Sequence, residues 1–164
     1  MLRSPIKVIR DIWTASIQRQ LILGIALVHA ILMTIFVLDL VERQTNFLHQ
    51  QAVEQATSLA ETLAANSTSW VLANDIIGIE EVIASQSKYP SLKYAMLLNL
   101  EGKVLGHTDK RHVGKYANDA QSKALLNVKG AVQKLSETQT LIDIAAPILP
   151  NSQQIGWARV ALGQ

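Results

Sequence analysis

Residues 103–115 hold the chain's densest group of side chains able to bind charge: Lys103, His107, Asp109, Lys110, Arg111, His112 and Lys115. Lysine and arginine donate charge-assisted hydrogen bonds to anions, and loops held over a rigid scaffold are where such contacts usually act. The cluster therefore suits a small anion. It equally suits a solvated loop of alternating charge that touches no ligand. No catalytic arrangement accompanies it. The chain has no cysteine, and it contains no His-Glu-x-x-His, no Gly-x-Ser-x-Gly and no glycine-rich phosphate loop. Its four histidines, His29, His49, His107 and His112, do not fall at metal-ligand spacing. No catalytic residue, metal or cofactor is expected, and the chain as it stands reads as a non-enzyme.

The elements that must position this cluster begin with a membrane segment. Residues 21–38 (LILGIALVHAILMTIFVL) carry no charge and are just long enough to span a bilayer's hydrocarbon core as a helix. Arg3, Lys7, Arg10 and Arg19 precede the run against a single acid, Asp11, while Asp39 and Glu42 open the far side. The positive-inside rule keeps the N-terminus in the cytoplasm and exports the chain beyond residue 41. No small-x-small cleavage site lies after the run, so a retained signal anchor is expected in place of a cleaved signal peptide. Residues 5–20 place Ile6, Ile9, Trp13 and Ile17 at helical spacing, as in a short amphipathic helix on the inner membrane surface. The division expected is a cytoplasmic amphipathic tail over 1–20, a transmembrane signal anchor over 21–41 and an exported domain over 42–164. The net charge of +2 comes from the tail, which carries four bases against one acid, so it does not point to nucleic acid. The absence of cysteine means that the exported domain must hold by its core alone. His29, inside the apolar run, is a functional candidate by position, with a helix–helix contact in a dimer as the simpler role.

Residues 39–73 contain neither glycine nor proline and predict one long helix leaving the membrane. Val41, Leu48, Ala52, Ala56, Leu59 and Leu63 form its apolar stripe, the first part suited to pairing with a second helix and the second part to packing on a domain. Asn74-Asp75 breaks the helix, and Asp75 can cap a short one over 76–86. Strands are expected over 92–98, 103–108, 131–136, 140–148 and 155–162, with a weak helix over 120–128. Asn99-Leu100-Glu101-Gly102 joins the first two strands as a hairpin turn, and Pro150-Asn151-Ser152 joins the last two. Helices packed on one antiparallel sheet of about five strands make an α+β domain. Trp70 and Trp157 are expected in its core.

This order, with three phrases, resembles the extracytoplasmic PAS-like sensor domains called Cache or PDC domains. The phrases are YAMLLNLEGKVLGHTD (residues 94–109), KRHVGKY (110–116) and IAAPILPNSQQIGWARVAL (144–162). The resemblance covers roughly residues 40–164. It implies the periplasmic input module of a bacterial receptor in the inner membrane, most like those of sensor histidine kinases. Diguanylate cyclases, phosphodiesterases and chemoreceptors are alternatives for the output, and a dimerisation or partner-binding domain without a ligand is the alternative to sensing. Partners implied are the lipid bilayer, a second copy paired through the membrane-proximal helix, and a small molecule in the periplasm. In citrate- and dicarboxylate-sensing relatives, a histidine at the position of His107 helps to bind the ligand carboxylate. The resemblance thus adds His107 and the position of Asp143 to the charged loop, and the candidate ligand-site residues are His107, Asp109, Lys110, Arg111, Lys115 and Asp143. Asp143 departs from those relatives, which commonly carry an arginine there, four residues before the proline matching Pro147. An acid facing the pocket would repel a dicarboxylate and favour an amine or a bridging water, unless the strand register turns it outward.

Overall fold

The computed structural model describes residues 17–138 and 140–163. The amphipathic tail anticipated over 5–20 lies almost wholly outside them. Three α-helices and five strands make up the described chain: α1 (Ile17–Ala73), α2 (Ile76–Gln86), β1 (Leu92–Asn99), β2 (Val104–His107), α3 (Ala120–Leu125), β3 (Gln133–Glu137), β4 (Leu141–Ile148) and β5 (Gly156–Gly163). The chain divides into two units, one ending at Phe47 and one beginning at Leu48.

In the first unit, every large apolar side chain from Leu21 to Val41 is at least half exposed. This part of α1 is long and apolar enough to cross a membrane, and without lipid or a partner it would leave a continuous greasy surface in water.

In the second unit, α1 ends where Asn74 takes a left-handed conformation (φ 52°). The Asp75 N–H bonds to the Trp70 carbonyl (2.9 Å) and the Asn74 N–H to that of Val71 (3.2 Å), which closes the helix as a Schellman motif. Asp75 then caps α2, its Oδ1 accepting from the N–H groups of Ile77 (3.0 Å) and Gly78 (3.1 Å). Two residues thus end one helix and begin the next, as their types predict.

The strands form one antiparallel sheet in the order β2-β1-β5-β4-β3. Both faces are covered, so the central strand β5 is buried from Gly156 to Leu162. Residues alternate between the faces along each strand. Ala158, Val160 and Leu162 of β5, with Ile142, Ile144 and Ala146 of β4, pack against Ala56, Leu59, Ala60 and Leu63 of α1 and Ile79 and Ile83 of α2. The apolar stripe of α1 is therefore engaged from about Ala52 onward, whereas Val41 and Leu48 stay more than half exposed. Gly106 lets α2 approach β2, since a Cβ there would stand 2.6 Å from Ile79 Cγ2. On the opposite face, Met96, Leu98, Val104, Ala145 and Trp157 meet Leu125 of α3. Trp157 is a core residue, as expected. Trp70 is not: it is 38% exposed and its ring lies over Gly78, because it caps the α1–α2 corner where the sheet does not reach.

The β1–β2 turn places Gly102 at φ 83°, with its N–H on the Asn99 carbonyl (3.1 Å). The polar segment after β2 then runs back along that strand. Val104 N–H donates to the Lys115 carbonyl (2.9 Å) and Gly114 N–H to the Val104 carbonyl (2.8 Å). These bonds hold residues 109–119 at the edge of the sheet, and α3 is shorter than anticipated, ending at Leu125.

Candidate functional site

The face away from α1 carries a cavity of about 630 Å³, within the range of small-molecule sites. Its floor draws on all five strands, with Tyr94 and Met96 on β1, His107 on β2, Ser136 on β3, Asp143 on β4 and Arg159 on β5, and its cover on Asp109, Lys115, Tyr116 and Asp119.

Arg159 is the centre of the site. Its side chain is 5% exposed, and it is the one charge in a strand that otherwise reads as apolar or glycine. A buried guanidinium needs partners for its donors. Nε donates to Asp143 Oδ1 (2.9 Å) and Nη2 to Asp143 Oδ2 (2.5 Å), while Nη1 donates to Asp119 Oδ1 (2.8 Å) and to Ser122 Oγ (2.7 Å). Tyr94 adds a hydroxyl donor to Asp143 Oδ2 (2.6 Å), and its ring centre lies 5.5 Å from the guanidinium carbon. The sheet register explains the pairing. Asp143 stands opposite Ala161 and Arg159 opposite Ala145, so acid and base meet on the diagonal between neighbouring strands.

The electrostatics reflect these contacts. Burial, then the Asp143 charge, push the Tyr94 phenol well above its usual range. Burial would lower the Arg159 pKa, but the bonds to Asp143 outweigh it and raise it. Burial would also raise the Asp119 carboxyl, yet the bonds from Arg159 and Ser122 bring it down to about 2. His107 Nδ1 accepts from the Asp109 N–H (2.8 Å), so the neutral ring carries its proton on Nε2. Its ring stacks on Tyr94 at 5.7 Å and meets His112 at 4.6 Å. Burial first, then the neighbouring His112, lowers its pKa and favours that neutral form.

The structure brings His107, Asp109, Lys115 and Asp143 to one cavity. It does not bring Lys110 and Arg111 there. Asp109 caps a 3₁₀ turn over Lys110–His112, which directs Lys110 to Glu80 of α2 (3.1 Å) and folds Arg111 onto Asp109 (2.6 Å). Arg111 is thus 85% exposed, and its hydrogen bonds hold the Asp109 carboxyl well below the usual range. Asp143 faces the cavity, but not as a free anion, because Arg159 neutralises it from the adjacent strand. Sequence reasoning missed Arg159, Asp119, Ser122 and Tyr94. A lone charge in an apolar strand was the signal for the first.

The model of the family described as single cache domain 3 matches residues 43–164. The chain belongs to the single cache domain 3 family. Among solved structures, the Escherichia coli DcuS sensor domain is similar at 18% identity and a TM-score of 0.56, with 70% of this chain and 90% of that one covered. An extracellular ligand binding receptor from Desulfohalobium retbaense matches at 13% identity and a TM-score of 0.41, over 73% of this chain and 25% of that one. No curated protein matches the sequence. Membership makes this Cache domain a signal-input module of a receptor, and the N-terminal helix is compatible with anchoring it to a membrane.

Proposed function

We propose that this Cache domain is a ligand-gated periplasmic sensor and that its receptor is a histidine kinase. The observation that carries the reading is the open cavity of about 630 Å³ over a buried arginine. A domain that only dimerised or bound a protein partner would have no need to keep such a volume unfilled. The carboxylates at the cavity are engaged by cations, which suits recognition and not proton transfer, so the module works without catalysis. Orientation with the N-terminus in the cytoplasm rests on the basic residues before the apolar run and the acids after it. Pairing of two copies rests on the exposed Val41, Phe47 and Leu48 along α1. A ligand acts by binding one arrangement of the domain better than another, and the shift passes through α1, whose later turns pack on the sheet.

Three measurements test this. A phosphatase that works only after export, fused behind Gln164, should be active, and activity of a cytoplasm-only reporter there would reverse the topology. A thermal-shift screen of small solutes against the full chain should find at least one that stabilises it. Hybrids joining residues 1–164 to the second membrane helix and output of a kinase or a cyclase should respond to that solute through the kinase. A response confined to the cyclase hybrid would replace the kinase assignment.

A further inference from the structure

We propose that the turn over residues 109–113 is a proton-operated gate between two cavities, with His107 as its switch. The turn forms the wall between them. Asp109 and His112 line the cavity of about 630 Å³ described above, while Lys110 and Val113 line a second cavity of about 420 Å³ beside α2. His107 and Thr108, where β2 ends, line both. The gate does not depend on what either cavity binds. Its two ends are fixed by the backbone: the Thr108 N–H donates to the Ala95 carbonyl (3.0 Å) and the Gly114 N–H to that of Val104 (2.8 Å). Between these points, the polar ties from the turn to the rest of the domain, among the described residues, are the Asp109 N–H on His107 Nδ1 (2.8 Å) and Lys110 on Glu80 (3.1 Å). The Lys110 and Glu80 side chains are 78% and 48% exposed, and a pair so open to water holds weakly. The bond to His107 is therefore the deciding one.

A neutral imidazole can accept a hydrogen bond at Nδ1. An imidazolium cannot, because both of its nitrogens carry hydrogen. Protonation of His107 therefore sets two N–H groups against each other across 2.8 Å and breaks the tie. The surrounding groups decide when this happens. Burial, then the neighbouring His112 and Arg159 of β5, oppose the charge, and Asp109 favours it, although that carboxylate is already bound to Arg111. Tyr94 of β1 stacks on the ring as an uncharged phenol. From α2, Glu80 is paired with Lys110, and Glu81 lines the smaller cavity. Across the larger cavity, Asp119 and Asp143 are paired with Arg159, and Lys93 and Lys115 add positive charge. The opposition prevails, so the closed turn holds His107 below its ordinary pKa. Opening separates the ring from His112 and returns it towards water and its ordinary value. The turn is thus closed at neutral pH. Acid favours the open form by up to roughly tenfold per pH unit between the two values, and by no more below the lower one.

The test follows amide hydrogen exchange of the full chain in lipid nanodiscs at neutral pH and at about pH 5, corrected for the chemical exchange rate at each pH. Peptides spanning residues 109–113 should lose protection severalfold in acid, while those from β5 should not change. His107→Asn supplies a side-chain oxygen that accepts from the N–H two residues on and takes up no proton, so its turn should stay protected at both pH values. His107→Phe offers no acceptor and should be unprotected at both. Glu80→Gln weakens the other tie and should lower protection at both while keeping the parent's pH response. A loss under about twofold in the parent overturns the proposal, as does a His107→Phe turn as protected as the parent's. A His107→Asn chain that keeps the parent's pH response also overturns it, and assigns the proton to another group. Nitrogen-15 spectra of the parent's histidines provide a check that needs no variant. At neutral pH, Nδ1 of His107 should be the nitrogen without hydrogen, and a proton found there refutes the gate.

Discussion

Replacing Arg159 by methionine removes the cation shared by two carboxylates, and their positions set the expected loss. Asp143, 3% exposed, is left buried with the Tyr94 hydroxyl as its donor. Breaking a buried ion pair from one side costs about 3–5 kcal/mol. Asp119 is 42% exposed and can turn to water, so it adds little. Against a total stability of about 5–15 kcal/mol, such a loss places the variant close to unfolding. At roughly 4 °C per kcal/mol for a unit of this size, Tm should fall by about 12–20 °C. The double variant Arg159→Met, Asp143→Leu removes both charges and fills the space with apolar atoms. Such replacements are often neutral or stabilising, so the double variant should recover most of the loss. Calorimetric or circular-dichroism melts of the parent, the single variants and the double variant complete the cycle. A single Arg159→Met variant melting within about 2 °C of the parent would refute the reasoning. So would a double variant no more stable than the single one.

Two further expectations use the same melts. Leu98→Asp places a carboxylate at a fully buried position between β2 and β5 and should abolish the cooperative transition, since an unpaired buried charge costs several kcal/mol; an unchanged Tm would show that the β1 core is misassigned. His107 has a folded-state pKa below its ordinary value, so the folded state binds fewer protons than the unfolded chain as pH falls below about 6.5. Its contribution is complete above that pH and declines below it. His107→Asn should lose less stability than the parent between neutral and mildly acidic pH, and equal pH profiles would show that the imidazole is not held neutral.

Features set by neighbouring residues were legible in the sequence. Asn74 and Asp75 end α1 and cap α2 because a left-handed residue and a short acceptor act over one helical turn. Gly102 sits where the hairpin turn needs positive φ. The alternating apolar residues after Pro90 predict five strands, and five are present. The apolar run before residue 39 reads as a membrane helix from its length and lack of charge. The limits of such reading appear at Trp70, whose size suggests a core position but whose place at a corner leaves it partly in solvent. Lys110 and Arg111 teach the same lesson, since their charge places them in the loop but the 3₁₀ turn capped by Asp109 decides where they point.

By itself the sequence determined the order of elements, the apolar strands of the sheet and the cationic loop after the first hairpin, since each depends on residue type and short spacing. The tertiary structure alone decided that Asp143 is neutralised by Arg159. That contact joins strands β4 and β5 on a diagonal, and a shift of one residue in register would have sent either side chain to the opposite face. The sequence places Asp119 at the start of a short helix, but only the folding of residues 109–119 along β2 brings its carboxylate to the buried guanidinium. A charge pair across a sheet is fixed by register and by the route of the chain, and neither is written in the spacing of the residues that form it.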